Sequence, residues 1–370
     1  MSHYKISDVA VEINERENNP ANSQYERFVG LEHYVSGEVI IRNYGSTQNL
    51  ESSMKIFQSG DVLVARRNVY LKRAATVDFD GLTSGDSIVL RAKNPVIGKI
   101  LPFVLNTDEF WDFADQYSDG TMSKRLSPKT LMTYEFDLPN DDKLESFADL
   151  LWAANDAREA YQELLRQTDE LVKSQFIEMF KDKFPVVLLG DEIKTTSGGT
   201  PSRKKDEYYT GGDIPWLTSG EVNLGFIDST QNFITQKGLD NSSAKWVPEN
   251  SVVIAMYGAT AGKVGVVRIP VTTNQAVCTL LPNPEFDTLY LYYACKANEE
   301  WMLSKCAGAA QPNISQTIIK EMPILKPPIE NQKNFATLVK QSDKSKFELK
   351  QNIENINSLM RSLMQQDFTN

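Results

Sequence analysis

Gly258-Ala259-Thr260-Ala261-Gly262-Lys263 is the run in this sequence that most resembles a phosphate loop. It fails as one, because only three residues part its glycines and Val264 stands where a magnesium-holding Ser or Thr is needed. Behind the apolar run Val252 to Met256 it reads as a Gly-rich turn, where backbone and Lys263 can come close to a phosphodiester chain. The plainer alternative is a hairpin turn with one solvated lysine. Ser197-Gly198-Gly199-Thr200-Pro201-Ser202-Arg203-Lys204-Lys205 is a second such element. Its small polar side chains and amides suit phosphate contacts and its cations can reach base edges, unless it is a plain surface loop. Trp216-Leu217-Thr218-Ser219 is expected to start a strand, with the Trp in the core.

Catalytic constellations are missing by comparison. There is no Asp/Asn-Pro-Pro-Tyr/Phe run for amino-methyl transfer, no Gly-x-Ser-x-Gly elbow and no carboxylate-plus-lysine nuclease cluster that stands out. Cys278, Cys295 and Cys306 have no paired spacing and read as small hydrophobes, while His3 and His33 are too few for a multi-histidine metal site. The expectation is a non-enzyme with no metal and no cofactor of its own.

A net charge of -10 argues against a uniformly basic nucleic-acid binder. The cations are nonetheless clustered, at Arg66-Arg67 with Lys72-Arg73, Arg91 with Lys93, Lys124-Arg125 and Arg203-Lys204-Lys205. Candidate DNA contacts are Arg66, Arg67, Lys72, Arg73, Thr83 and Ser84 in the first half. In the second they are Thr200, Ser202, Arg203, Lys204, Lys205, Thr218, Ser219, Tyr257, Lys263, Thr273, Asn274 and Gln275. No stretch approaches the roughly 18 apolar residues of a membrane span and the N-terminus has no apolar leader, so a cytoplasmic protein without membrane contact is expected.

The elements that must position these residues repeat. Val62-Leu63-Val64-Ala65 after Ser59-Gly60-Asp61 matches Val252-Val253-Ile254-Ala255 after Glu249-Asn250-Ser251 at an offset of 190, as do Thr83 with Thr273 and Val77 with Val267. At an offset of 188, Gly120 and Leu126-Ser127 match Gly308 and Ile314-Ser315, Pro139 matches Pro327, and Phe28 matches Trp216. In this register the Gly-rich turn falls on Asn68 to Arg73, which has no glycine but, with Arg67, three cations.

Each half closes with a heptad pattern. The first reads Phe147, Leu150, Ala154, Ala157, Tyr161, Leu164, Thr168, Leu171, and the second Phe335, Leu338, Ser342, Ser345, Leu349, Asn352, Ile356, Leu359, Leu363. Pro139-Asn140-Asp141 and Pro327-Pro328 precede them and Pro185 closes the first, so each should be a helix of roughly 35–40 residues. Residues 147–180 hold three basic and seven acidic side chains and residues 331–366 six basic and three acidic, which favours pairing of the two helices. Short runs bounded by turn residues, Val35 to Ile41, Asp61 to Ala65, Ser87 to Arg91, Val252 to Met256, Gly265 to Ile269 and Ala276 to Leu281, read as strands.

The expected fold is therefore α+β: two tandem strand-rich mixed domains, residues 1–143 and 185–328, separated by long helices over 144–184 and 329–370 that form an antiparallel coiled coil with a pseudo-twofold repeat. Leu150, Tyr161, Leu164, Leu171, Leu338, Leu349, Ile356 and Leu359 are the helix residues expected to bind partners.

With the Ser-Gly-Gly-Thr-Pro-Ser loop, Ile214-Pro215-Trp216-Leu217, Tyr257-Gly258-Ala259-Thr260 and Gln311-Pro312-Asn313-Ile314-Ser315 in view, the chain resembles the specificity (S) subunit of type I restriction-modification systems over its whole length. The first half keeps Phe28-Val29-Gly30-Leu31-Glu32-His33 and Leu126-Ser127-Pro128 but lacks both Gly-rich elements. The resemblance implies target-recognition domains that each read half of a bipartite double-stranded DNA site. It also implies helices that space them and dock two adenine methyltransferase (M) subunits, with restriction (R) subunits joining for cleavage. S-adenosylmethionine, ATP and magnesium would be held by those partners. Two alternatives remain open: a specificity subunit whose partner fuses methyltransferase and nuclease, and a coiled-coil scaffold that binds no DNA.

Overall fold

The computed structural model describes residues 2–120, 123–306 and 313–369. Its internal contacts divide it into two units, Met1–Glu163 with Leu349–Asn370, and Leu164–Glu348.

In the first unit an antiparallel sheet runs in the order Ala10–Ile13, Ser87–Ala92, Val62–Ala65, Ala74–Thr76. A second sheet is ordered Arg16–Glu17, Met54–Phe57, Gly81–Thr83, Arg27–Val29, Gly45–Ser46, with Phe28 and Leu82 in a parallel pair. Every residue of Val62–Ala65 is buried, which is why this strand reads as a continuous apolar run rather than an alternating one. One face, Val62 and Val64, joins the core under the helix Pro95–Val104; the other, Leu63 and Ala65, joins a core with Val29 and Phe57.

The second unit reproduces this frame. One sheet runs Thr195–Ser197, Val277–Leu280, Val252–Ala255, Val264–Val267, Phe226–Ile227, and the other Phe233–Ile234, Ile214–Leu217, Val271–Thr273, Trp246–Val247. Trp216 pairs in parallel with Thr272, as Phe28 does with Leu82, so the repeat seen in the sequence is a repeat of strand order. The runs at 61–65, 87–91, 252–256, 265–269 and 276–281 fall on strands within a residue or so at each end.

Val35 to Ile41 is not a strand. Ser36-Gly37 turns the chain there, Gly37 at φ +77° and the Glu38 amide bonded to the Val35 carbonyl, so Val35 is exposed while Val39 and Ile41 reach the core separately. The residues that alternated in the sequence belong to a loop.

The long helices span Asp141–Phe180 and Ile329–Thr369. Asp182 at φ +59° and Pro185 end the first, and Pro328 accepts the Asn331 amide as the second begins. Both helices are shared between the units in opposite chain order. In the first unit Leu144, Phe147, Ala148 and Leu151 share a core with Met360, Leu363 and Met364. In the second, Val172, Phe176 and Phe180 share one with Phe335, Leu338 and Val339, and Lys346 reaches Asp169 at 3.1 Å. This is the antiparallel order expected from the sequence.

The heptads are not a simple seam, however. Phe147, Ala154, Phe335 and Ser342 are buried, Tyr161, Leu338, Leu349 and Ile356 are half-buried, and Leu150, Leu164, Leu171 and Leu359 are exposed. The reason is that buried residues recur at i, i+3, i+4 and i+7, as in Leu144, Phe147, Ala148 and Leu151, a face wide enough to cover a domain core and not only a partner helix.

Candidate nucleic-acid interface

In the second unit the loop after Thr195–Ser197 is pinned from below. A Cβ on Gly198 would lie 1.8 Å from the Thr273 carbonyl oxygen, one on Gly199 would lie 2.7 Å from Ser243 Cβ, and the Gly199 amide donates to Thr273 O at 3.0 Å. These glycines therefore serve close packing, and the Gly199 amide is already bonded. Trp216, in the core as expected, donates from Nε1 to the Gly199 carbonyl at 3.1 Å.

Hydrogen bonds then join four segments edge to edge. Thr200 bonds Gln275, the Asn274 amide donates to Leu217 O at 3.0 Å, and Thr260 Oγ1 donates to Ser219 O at 3.0 Å. Beside Thr260 the turn between Val252–Ala255 and Val264–Val267 is held by Gly258 at φ +77° and Gly262 at φ +81°, and Tyr257 bridges to Asn313. Thr200, Gln275, Asn274, Ser219 and the Tyr257 turn thus belong to one connected rim. Ser202, Arg203, Lys204 and Lys205 extend it and are exposed, Lys205 lying 5.0 Å over the Tyr208 ring. Gly308, Gln311 and Pro312 lie outside the described residues.

Several candidates are placed differently from the expectation. Thr83 and Thr273 are fully buried, Thr83 donating to Val29 O at 2.7 Å, because both sit in the parallel strand pair at the centre of a sheet; neither can touch DNA. Thr218 binds Glu221 through both its amide and its hydroxyl, at 3.0 and 2.8 Å, and caps the short helical turn that follows. Lys263 Nζ lies 3.0 Å from Glu299, so its charge is shared.

In the first unit the equivalent turn, Asn68 to Arg73, is built without glycine: Asn68 and Lys72 themselves take positive φ, 56° and 47°. Its cations are tied inward. Arg66 Nε donates to Leu126 O at 3.1 Å, Arg73 donates to Leu31 O and Arg67 O at 2.9 and 3.2 Å, and Lys72 pairs with Asp108 at 2.6 Å. Arg67 lies 3.8 Å from Asp86, whose amide donates to Ser84 Oγ at 3.2 Å. The residue missed in the sequence is Tyr70, 66% exposed at the crest of this turn. An aromatic inside an otherwise basic turn was its signal, obscured because the turn was read only for charge.

Burial pushes the Cys278 thiol up to about 12 and the Cys295 thiol higher still, so both are inert small side chains. Among the described residues no group of three His, Cys, Asp or Glu is placed to hold a metal, and no helix is long and apolar enough to cross a membrane.

Two strand-rich units of one design thus each carry a polar turn on the rim, and each includes a part of both long helices. Residues 181–358 match the family described as type I restriction modification DNA specificity domain. The chain is 26% identical over 160 residues to the type I restriction enzyme EcoR124I/EcoR124II specificity subunit of Escherichia coli, covering 42% of this chain and 40% of that one. It is 28% identical over 182 residues to the MjaIX specificity subunit of Methanocaldococcus jannaschii, covering 48% and 41%. Each match thus spans about two fifths of the relative's length. The fold matches the type I S subunit from M. genitalium with a TM-score of 0.58 at 14% identity, over 100% of this chain and 96% of that one. A chain from a study of complex assembly and conformational transition of the type I R-M system matches with a TM-score of 0.62 at 20% identity, over 99% and 97%. In sequence the second half carries the match to that domain, and the whole length has the fold of the type I S subunit.

Proposed function

We propose that this chain is the non-catalytic DNA-reading subunit of a type I restriction-modification complex, each unit reading one half of a bipartite double-stranded site. The observation that carries this reading is the repetition of one strand order in two units that share both long helices. Two similar readers on one chain suit a site made of two halves, and the second binds at the high effective concentration set by the first. In the second unit the reading surface is the rim of Thr200, Ser202, Arg203, Lys204, Lys205, Ser219, Tyr257, Asn274 and Gln275; in the first it centres on Arg67, Tyr70 and Ser84. Cations at the rim meet phosphate, while Asn274 and Gln275 have the donor and acceptor pairs that read base edges.

The exposed leucines of the helices, Leu150, Leu164, Leu171 and Leu359, suit docking of two methyltransferase subunits, which restriction subunits join. S-adenosylmethionine, ATP and magnesium belong to those partners, and the complex works in the cytoplasm. An acidic chain can act here because the methyltransferases share the phosphate contacts.

Methylome sequencing of cells with and without the gene tests the reading. One methylated motif made of two half-sites around a fixed gap should vanish with the gene. An unchanged methylome in cells that express the partners would overturn it.

A further inference from the structure

Gly30 and Thr218 are 188 positions apart, and each opens a short helical turn directly after a strand of the parallel pair in its unit. In both units the third residue of that turn folds its side chain back onto the opening amide. Glu221 accepts from the Thr218 amide at 3.0 Å in the second unit, and His33 Nδ1 accepts from the Gly30 amide at 2.9 Å in the first. The first residue of the turn is also used alike: Ser219 O accepts from Thr260 at 3.0 Å and Leu31 O from Arg73 at 2.9 Å. Thr260 and Arg73 belong to the rim turns, so each rim turn rests against a capped turn. In the first unit Arg73 also donates to Arg67 O at 3.2 Å, and one guanidinium thereby ties both ends of the turn that carries Tyr70 to Leu31.

The two units differ in the acceptor. A backbone amide can only donate, so His33 Nδ1 must be free of a proton and the ring hydrogen must sit on Nε2. The His33 side chain is 16% exposed, with the Phe28 ring edge-on at 6.1 Å and Gly45 packed against Cε1. The charged groups around it are Glu32, 3.9 Å from Nδ1, and Arg73 beyond the Leu31 carbonyl; Phe28 and Gly45 bring none. A proton on Nδ1 would set donor against donor at Gly30 and draw the imidazolium toward Glu32.

We propose, on the reading of the rim as a DNA surface, that His33 is a positioning residue for the turn Arg67 to Arg73 and makes the first unit's half of the recognition acid-sensitive. Histidine side chains ordinarily change charge between about pH 5 and about pH 8, whereas carboxylates ordinarily take up a proton only near about pH 4. The cap at Gly30 is therefore present above the histidine range and lost below it, while Glu221 keeps the cap of the second unit through that range. Loss of the cap frees the Leu31 carbonyl to shift, and with it Arg73 and the turn under Tyr70.

The test uses the full chain with its methyltransferase partners and duplexes carrying the methylated motif, intact or with one half-site scrambled, at about pH 7.5 and about pH 5.5. The affinity ratio of intact to scrambled duplex should fall about fivefold on acidification for one half-site and stay level for the other. The sensitive half should be the one whose ratio Tyr70→Ala also lowers. His33→Gln, an uncharged acceptor of the kind capping boxes use at this place, should remove the acid response, and His33→Ala should give the low ratio at both pH values. An equal pH response at both half-sites, or a His33→Gln protein as acid-sensitive as the wild type, would overturn the role of His33 and leave the DNA reading standing. Absence of discrimination at either half-site at both pH values would overturn the DNA reading and this role with it. A second arm needs no DNA: in the free chain the Gly30 amide NMR signal should move over the same pH range in the wild type and not in His33→Gln, and an unmoved wild-type signal would overturn the proposal.

Discussion

Asp61 and Arg91 face each other in the first unit where the second unit has Ser251 and Leu281. Arg91 grips Asp61 through two nitrogens at 2.7 and 2.8 Å and Asp61 also accepts the Gln58 amide at 2.8 Å; Ser251 merely donates to Pro248 O at 2.8 Å. The same divergence runs to the rim. Arg66, Arg73 and Lys72 of the first unit are spent on carbonyls and Asp108, whereas Ser202, Arg203 and Lys204 of the second are exposed. Apolar pattern fixes strand order, so both halves kept it. Polar side chains were free to rewire, and they set what each half can bind.

The largest expected effect in this comparison is on the shared helix cores. Phe335 is fully buried against Phe176, Phe180 and Tyr293, and Phe335→Ala should cost about 3–5 kcal/mol in urea denaturation. Phe147, its counterpart and slightly exposed, should cost toward the lower end of that range. Next, Asp61→Ser should destabilise the first unit by about 1–3 kcal/mol because it strands the half-buried Arg91. Adding Arg91→Leu, which copies the second unit, should restore most of that; a double variant as unstable as the single one would show that the pair is not what separates the units.

Gly198→Ala should move the loop before Arg203 by driving Cβ into the Thr273 carbonyl, weakening DNA binding more than it weakens the fold. The smallest effect belongs to the rim cations. Lys204→Ala should lower the slope of log affinity against log salt by about one, and Lys263→Ala by less, since Glu299 shares its charge. Equal slopes for wild type and Lys204→Ala in a filter-binding series would remove Lys204 from the phosphate contacts.

The frame was legible because it rests on apolar spacing. Val252 to Met256, the correspondence of Phe28 with Trp216, and both long helices followed from runs, offsets and prolines. The rim was legible as segments but not as residues. Thr83 and Thr273 looked like polar contacts because the sequence does not show that a central parallel strand buries them. The glycines at 198 and 199 looked like phosphate cradles, yet what they accommodate is Thr273 and Ser243, neighbours from distant parts of the chain. Leu150 and Leu171 fitted a heptad, but the covered face was set by domain cores that no helical count includes.

The central claim is that the helices space two independent readers, and lengthening them tests it most directly. Seven residues placed in each helix, between Glu163 and Leu164 and between Glu348 and Leu349, extend both by roughly 10 Å while turning the faces by only about 20°. At about 3.4 Å per base pair, the gap in the methylated motif should widen by about three base pairs with both half-sites unchanged. A motif with the original gap, or one whose half-sites change while the gap stays fixed, would contradict the account.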